Sequence, residues 1–370
     1  MLIQLAATGL LVAMLPLSVV WVSSDPDKFR KLVWVTLFLT FDLVMFGAFT
    51  RLTDSGLGCP DWPGCYGEAN PFQAHADIRA AELAMPSGPV TVIKAWIEMI
   101  HRYAAMAVGI LIIAIVIAAW RGWKKSKGAD KRFAPGLPLA LFVFVCLQGA
   151  FGAWTVTLKL QPVIVTTHLL LGLTLLGMLA WLAARESRHD GIGMEASNLR
   201  RPALVALGML AVQIALGGWV STNYAALACS DFPLCQGSLL PNMDFGHGFS
   251  LWRHLGKTAA GDYLPFAALT AIHWTHRMFA VLVVATVAWT ACKALPIPGL
   301  RRSGSWLLAA VAVQFLIGVS TVFLQWPLAL AVAHNGGAAL LVILLVMLNY
   351  KARVASSRAP SAVDLRLSAA

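Results

Sequence analysis

LTDSGLGCPDWPGCYG at residues 52–67 and TNYAALACSDFPLCQG at residues 222–237 are one loop written twice. At an offset of 170, Cys59 matches Cys229, Asp61 matches Asp231, Pro63 matches Pro233, Cys65 matches Cys235 and Gly67 matches Gly237, and upstream Gly47 matches Gly217. A second block, LQGAFGAWTVTLKLQPVIVTTH at 147–168, returns as VQFLIGVSTVFLQWPLALAVAH at 313–334, offset 166, matching Gln148 with Gln314, Gly152 with Gly318, Thr155 with Thr321 and His168 with His334. Between these blocks EMIHRYAA (98–105) faces HWTHRMFA (273–280) at an offset of 175, placing His101 and Arg102 on His276 and Arg277. The drifting offset marks loop insertions inside a duplicated unit.

The residues around these motifs are apolar. Of 370 residues 59% are hydrophobic and 12% charged, with a mean hydropathy of +0.73. Soluble domains run about 45–50% apolar and about 25% charged, so a water-soluble enzyme is excluded, as are disordered, collagen-like and disulfide-scaffold chains. A spanning helix needs roughly 20 apolar residues. Nine runs qualify, near 1–22, 33–50, 95–119, 137–155, 163–183, 203–220, 265–292, 304–323 and 328–349. The first lies outside the repeat, and each copy holds four. An even number makes both copies cross the membrane in the same sense, related by an axis along its normal.

The expected fold is therefore an all-α polytopic membrane protein: two pseudo-twofold-related four-helix transmembrane bundles, a parallel internal repeat, plus one extra N-terminal transmembrane helix. Its parts are residues 1–32 (extra helix and inner loop), 33–185 (first bundle), 186–202 (inner linker), 203–350 (second bundle) and 351–370 (inner tail). Short connections such as Val156 to Pro162 favour antiparallel neighbours within a bundle.

Charge orients the chain. Alternate loops 23–32, 121–136, 184–201, 293–303 and 350–370 hold 20 of the 28 Lys and Arg with seven acids, whereas the opposite loops hold six with eight acids. The net +11 is thus +13 on one side and −2 on the other, the positive-inside pattern, with Arg102 and Arg277 within segments. This places the N-terminus outside and the C-terminus in the cytoplasm, with the cysteine-bearing loops periplasmic. Basic residues recurring at every second turn do not make the single basic face that nucleic acid requires. The first 22 residues lack a basic n-region and a small-residue cleavage site, so they read as an uncleaved helix; without an Arg-rich transit segment the membrane is a bacterial inner membrane.

Five histidines fall in apolar segments: His101, His168, His273, His276 and His334. A single buried His is commonly a core or interface residue. Here four are repeat-mates, all within about two turns of the outer ends of their segments. Two His on facing helices at one depth are what axial ligation of haem iron requires, whereas zinc would need further ligands in each half. Two bis-His haem sites, one per bundle, is the sharp reading. Arg102 and Arg277 follow two of these His and either pair with a haem propionate or reach out to the headgroups. Glu98 precedes His101 by three residues, on the same helix face, and is matched by His273. It is either a proton donor or acceptor beside a reacting centre or a helix-end carboxylate at headgroup level. The N-terminal half then reads as the reactive one and the C-terminal half as an electron-holding copy. His273 competes with His276 as ligand, although the shared His-Arg pair favours His276.

Cys59 with Cys65 and Cys229 with Cys235 share one spacing just beyond the outer ends of spans. Disulfides pinning the loops, a redox dithiol role, and a metal site with His75 or His247 all fit. Cys146 and Cys292 read as small core residues, and Asp42 as a partner in an interhelical hydrogen bond. Trp62, Phe72, Phe245 and Trp252 read as interfacial anchors or as caps over the sites.

In order, RLTDSGLGCPDWPGCYG (51–67), IEMIHR (97–102), TTHLLLG (166–172), WTHR (274–277) and AHNGG (333–337) resemble the haem A synthase family, over about residues 33–350. The resemblance implies a haem-dependent oxidoreductase that converts the C8 methyl of haem O to a formyl group by successive hydroxylation, for biogenesis of aa3-type terminal oxidases. It implies that His101 and His168 hold the substrate haem, with Glu98 handling protons. His276 and His334 would hold a b-type haem that relays electrons. It also implies Cys59–Cys65 and Cys229–Cys235 disulfides. Haem O would come from haem O synthase, the protohaem farnesyltransferase, as partner; a homo-oligomer stays open. Eight helices is the family pattern, which leaves residues 1–22 as an addition. Against it stand a di-haem b electron-transfer subunit of a quinol oxidoreductase and a haem transporter or chaperone.

Overall fold

The computed structural model describes residues 1–187, 189 and 191–358; Arg188 and Asp190 of the expected linker and residues 359–370 of the expected tail lie outside the described residues. In chain order the helices are α1 (Leu2–Val22), α2 (Lys28–Leu52), α3 (His75–Ala84), α4 (Val92–Lys125), α5 (Gly136–Thr157), α6 (Pro162–Arg185), α7 (Arg200–Thr222), α8 (Phe245–Gly248), α9 (Phe266–Ala294), α10 (Arg301–Phe323) and α11 (Leu328–Arg358). All but α3 and α8 are long and apolar enough to cross a membrane, nine among the described residues. Such helices satisfy every backbone group internally, the condition for burial in lipid.

Each hydropathy segment sits inside one of these helices or within a residue of its bounds, and most of the helices run on into polar residues. The extensions have local causes. The Asp27 side chain accepts the Arg30 N–H at 3.1 Å to start α2, and Thr91 accepts that of Lys94 at 3.2 Å to start α4. Pro162 opens α6, and Lys124 and Lys125 close α4 against its C-terminal dipole.

Helix α2 packs on α4 and α6, and α5 packs on α4 and α6, closing a ring of four; α7, α9, α10 and α11 close a second ring in the same order of neighbours. The rings meet where α11 lies against α2 and α6, and α6 against α7. Helix α1 stands outside the rings, along α4 with a lesser contact to α2.

The main core fills the end of the rings nearest the basic loops, with Leu111, Ile112, Ile115, Leu176, Leu179, Leu300, Leu307 and Leu345 fully buried. At that end Arg132 bonds both Asp27 and the buried Glu186 beyond the end of α6. Burial pushes the Glu186 carboxyl up, against the pull of Arg132 and Arg185. A smaller core of Leu5, Cys59, Cys65, Ile78, Met99 and Tyr103 lies at the opposite, disulfide end.

Two core readings are corrected. Cys146 on α5 and Cys292 on α9 are exposed, because α5 and the last turn of α9 turn those faces outward. Asp42 on α2 is also exposed and makes no side-chain hydrogen bond among the described residues, so it is not an interhelical partner.

Candidate functional site: four histidines beneath two disulfide loops

His101 on α4, His168 on α6, His276 on α9 and His334 on α11 lie six to ten residues inside the disulfide-end termini of their helices. At 1.5 Å per residue that is roughly 9–15 Å below the helix starts. Each ring lies against a glycine of a neighbouring helix. A Cβ on Gly47 (α2) would stand 3.0 Å from His101 Nε2, and one on Gly152 (α5) 3.4 Å from His168 Cε1. Cβ atoms on Gly217 (α7) and Gly318 (α10) would each stand 3.0 Å from Cε1 of His276 and His334 respectively. At positions 47, 217 and 318 glycine is favoured by close approach, not by dihedral angle, whereas at 152 the approach is an ordinary van der Waals contact. Gly47, Gly217 and Gly318 thus have a steric reason that the repeat alone does not show.

Glutamines form a further set of contacts, which sequence reasoning missed although Gln148 and Gln314 aligned in the repeat. Gln148 Nε2 donates to the His168 carbonyl at 3.0 Å, Gln213 Nε2 to that of His276 at 3.1 Å and Gln314 Nε2 to that of His334 at 3.0 Å. His168 Nδ1, His334 Nδ1 and Oε1 of all three glutamines are buried without a hydrogen-bond partner among the described residues. Orphaned polar atoms are rare in a dry interior and call for an explanation. Five of the eight such atoms among the described residues fall on these histidines and glutamines, the others being His189 Nδ1, Arg253 Nε and Asn349 Oδ1. Four imidazoles, the glycines beside them and the unmet polar atoms are a donor set that would suit a metal macrocycle.

Above the rings the two loops carry equivalent contacts. Disulfides join Cys59 to Cys65 and Cys229 to Cys235, with Cα–Cα separations of 4.9 and 4.7 Å. The Asp61 carboxylate accepts the N–H groups of Tyr66 and Gly67, both at 2.7 Å, and Asp231 accepts those of Gln236 and Gly237 at 2.7 and 2.8 Å. Gly67 and Gly237 have φ of +75° and +73°, the left-handed conformation that completes these turns. The Gly237 and Gln236 N–H groups hold the Asp231 carboxyl below the ordinary carboxylate range.

The arginines point into these loops. Arg102 Nη1 donates to the carbonyls of Asp61, Pro63 and Gly64, and its Nη2 pairs with Glu98. Arg277 donates to the carbonyls of Asp231, Leu234 and Cys229, at 2.6, 3.0 and 2.7 Å. Neither the propionate reading nor the headgroup reading anticipated these contacts, which occupy most of each guanidinium.

Glu98 and His273 stand in the same place in the two halves. Glu98 Oε2 accepts the Cys59 N–H at 2.8 Å, and His273 Nδ1 lies 3.3 Å from the Cys229 nitrogen. His273 Nε2 is 3.2 Å from Arg277 Nε, as Glu98 Oε1 is paired with Arg102. A carboxylate accepts both contacts, whereas a neutral imidazole has one lone-pair nitrogen and accepts one. With both nitrogens facing loop and arginine, His273 is committed upward, while His276 faces Gly217. Trp62, Phe72, Phe245 and Trp252 are all exposed, as interfacial anchors are.

Together these features define a polytopic membrane protein whose partly buried histidines sit against glycines under disulfide-closed loops. The chain belongs to the COX15-CtaA family, described as cytochrome oxidase assembly protein, whose model matches residues 30–346. It is 39% identical over 326 residues to the protein named Heme A synthase of Shewanella oneidensis, covering 86% of this chain and 96% of that one. It is 29% identical over 343 residues to Heme A synthase of Erythrobacter litoralis, covering 84% and 93%. It is 28% identical over 353 residues to that of Rhodopseudomonas palustris, covering 87% and 91%.

Proposed function

We propose that the chain is a membrane oxidoreductase of haem A biosynthesis that oxidises the C8 methyl of haem O to a formyl group. The observation that carries the reading is the fourfold arrangement of His101, His168, His276 and His334, each against a glycine and all near one depth. We assign His101 and His168 to the substrate haem and His276 and His334 to a b-type haem, whose iron supplies electron transfer when bound. Residues 33–185 and 203–350 form the two bundles that carry these sites.

Glu98 distinguishes the first site. It lies one helical turn from His101, 4% exposed, with only donors around it. A carboxylate so placed can take a proton from a reacting group and return it. Its partner Arg102 keeps the loop of residues 58–67 closed over the first site and excludes water. Both loops face the periplasm in this reading, the basic loops face the cytoplasm, and haem O arrives from haem O synthase.

The test is expression with a haem O source, followed by mass analysis of extracted pigments. Wild type should yield haem A, and Glu98→Ala should keep its haem but stall at haem O or the alcohol. Haem B alone from wild type would overturn the synthase reading in favour of electron transfer or haem carriage. An unchanged haem A yield in Glu98→Ala would remove the proton role.

A further inference from the structure

The glutamine contacts divide the four histidines three to one. Gln148, Gln213 and Gln314 each precede a cradle glycine by four residues, in Gln148/Gly152, Gln213/Gly217 and Gln314/Gly318. Residues four apart share a helix face, so one face presents a gap for the imidazole and, a turn away, an amide that grips the same residue's backbone. The amides also lie along the rings: Gln213 Nε2 is 3.1 Å from His276 Nδ1, and Gln314 Nε2 is 3.4 Å from His334 Nε2. In two pairs a ring nitrogen and an amide oxygen are left over together, His168 Nδ1 with Gln148 Oε1 and His334 Nδ1 with Gln314 Oε1. A ligating imidazole keeps a proton on its other nitrogen and needs an acceptor for it, and each of these glutamines, already tied to the histidine backbone, carries an unbonded amide oxygen.

The fourth cradle breaks the pattern. Four residues before Gly47 stands Leu43, at the position that Gln213 occupies before Gly217. No side-chain hydrogen bond reaches His101 among the described residues; its ring stacks on Phe46, with centroids 6.1 Å apart. We propose that Gln148, Gln213 and Gln314 are positioning residues that lock His168, His276 and His334 as iron ligands, and that His101, lacking one, is the exchangeable ligand of the chain. The proposal rests on the four-histidine assignment above. It gives the first site one fixed side, His168, and one side that lets go. A site that must admit and release its haem in every cycle needs this, whereas a resident haem locked at both His276 and His334 does not.

Carbon monoxide tests it on reduced, purified holoprotein replenished with haemin. In wild type one haem should bind carbon monoxide readily and the other should resist. Leu43→Gln supplies the missing amide and should slow capture at the first site by about 10–100-fold, the usual scale of outer-shell effects, with the low-spin bands unchanged. Gln314→Leu should act in the opposite sense, making the second haem reactive, and it carries the test alone if Leu43→Gln does not accumulate in membranes. Equal reactivity of both haems, or rates unmoved by both variants, would overturn the proposal while leaving the ligands in place. Failure of the ligand assignment reads differently: low-spin bands would survive His276→Ala and His334→Ala.

Discussion

Glu98 and His273 show how one position supports different chemistry within a shared scaffold. Both brace the first cysteine of a disulfide loop and both meet the arginine four residues on, but only Glu98 brings a charge. Removing Arg102 would strand a carboxylate whose side chain is 6% exposed, a loss of about 3–5 kcal/mol when a buried pair is broken. Removing Arg277 strands only an imidazole and three carbonyls. Arg102→Ala should therefore open its loop far more than Arg277→Ala opens the other. Reduction with a water-soluble phosphine, then alkylation and peptide mass analysis, should show Cys59 and Cys65 labelled much faster in Arg102→Ala, with a smaller gain at Cys229 and Cys235 in Arg277→Ala. Equal gains would mean that the Glu98 charge is not what the arginine compensates. The divergence at this position was legible in the sequence because the repeat aligns Glu98 with His273. The turn of both arginines back onto carbonyls some 40 residues earlier was not, since those acceptors converge only when the loop folds.

At the level of the helices, hydropathy located every long segment, because a spanning helix and its apolar run are the same length constraint. The helices α3 and α8 escaped it, being short and lodged in polar loops. What hydropathy could not supply is which face of a helix meets which neighbour, and the glycine cradles are a property of that crossing. Filling one cradle separates fit from fold. In Gly318→Val even the Cβ would stand 3.0 Å from His334 Cε1, and overpacking of this kind costs about 1–3 kcal/mol. The imidazole must move, so the variant should reach the membrane but lose about one of two haems per chain, measured as the pyridine haemochrome. Gly149→Ala is the matched control, one turn from Gly152 on α5 with nothing within 4 Å of its added Cβ, and should keep both haems. Full haem content in Gly318→Val would remove the cradle from the site.

Over the whole molecule, the two rings share an order of neighbours, and α1 has no counterpart among the described residues. The sequence placed residues 1–22 outside the repeat but could not say what they touch. Leu5 and Ala13 are fully or almost fully buried, and a Cβ on Gly9 would stand 3.0 Å from Met106 Cβ on α4. Leu5 belongs to the same small core as Cys59, Cys65 and Tyr103, while Met1 reaches Gly64 at the loop itself. Besides packing along α4 and α2, helix α1 thus walls the first disulfide loop, and among the described residues its contacts do not extend to the second. Deleting residues 2–24 should make Cys59 and Cys65 more reducible and lower the haem retained by His101 and His168. The Cys229–Cys235 loop and the low-spin spectrum of the His276 and His334 site should stay as in wild type. Reductant sensitivity of both loops together with haem spectra of the truncated protein measures this. Equal loss in both halves would show that α1 stabilises the molecule globally; a loss confined to the first half would tie this unrepeated helix to the site proposed for the substrate haem.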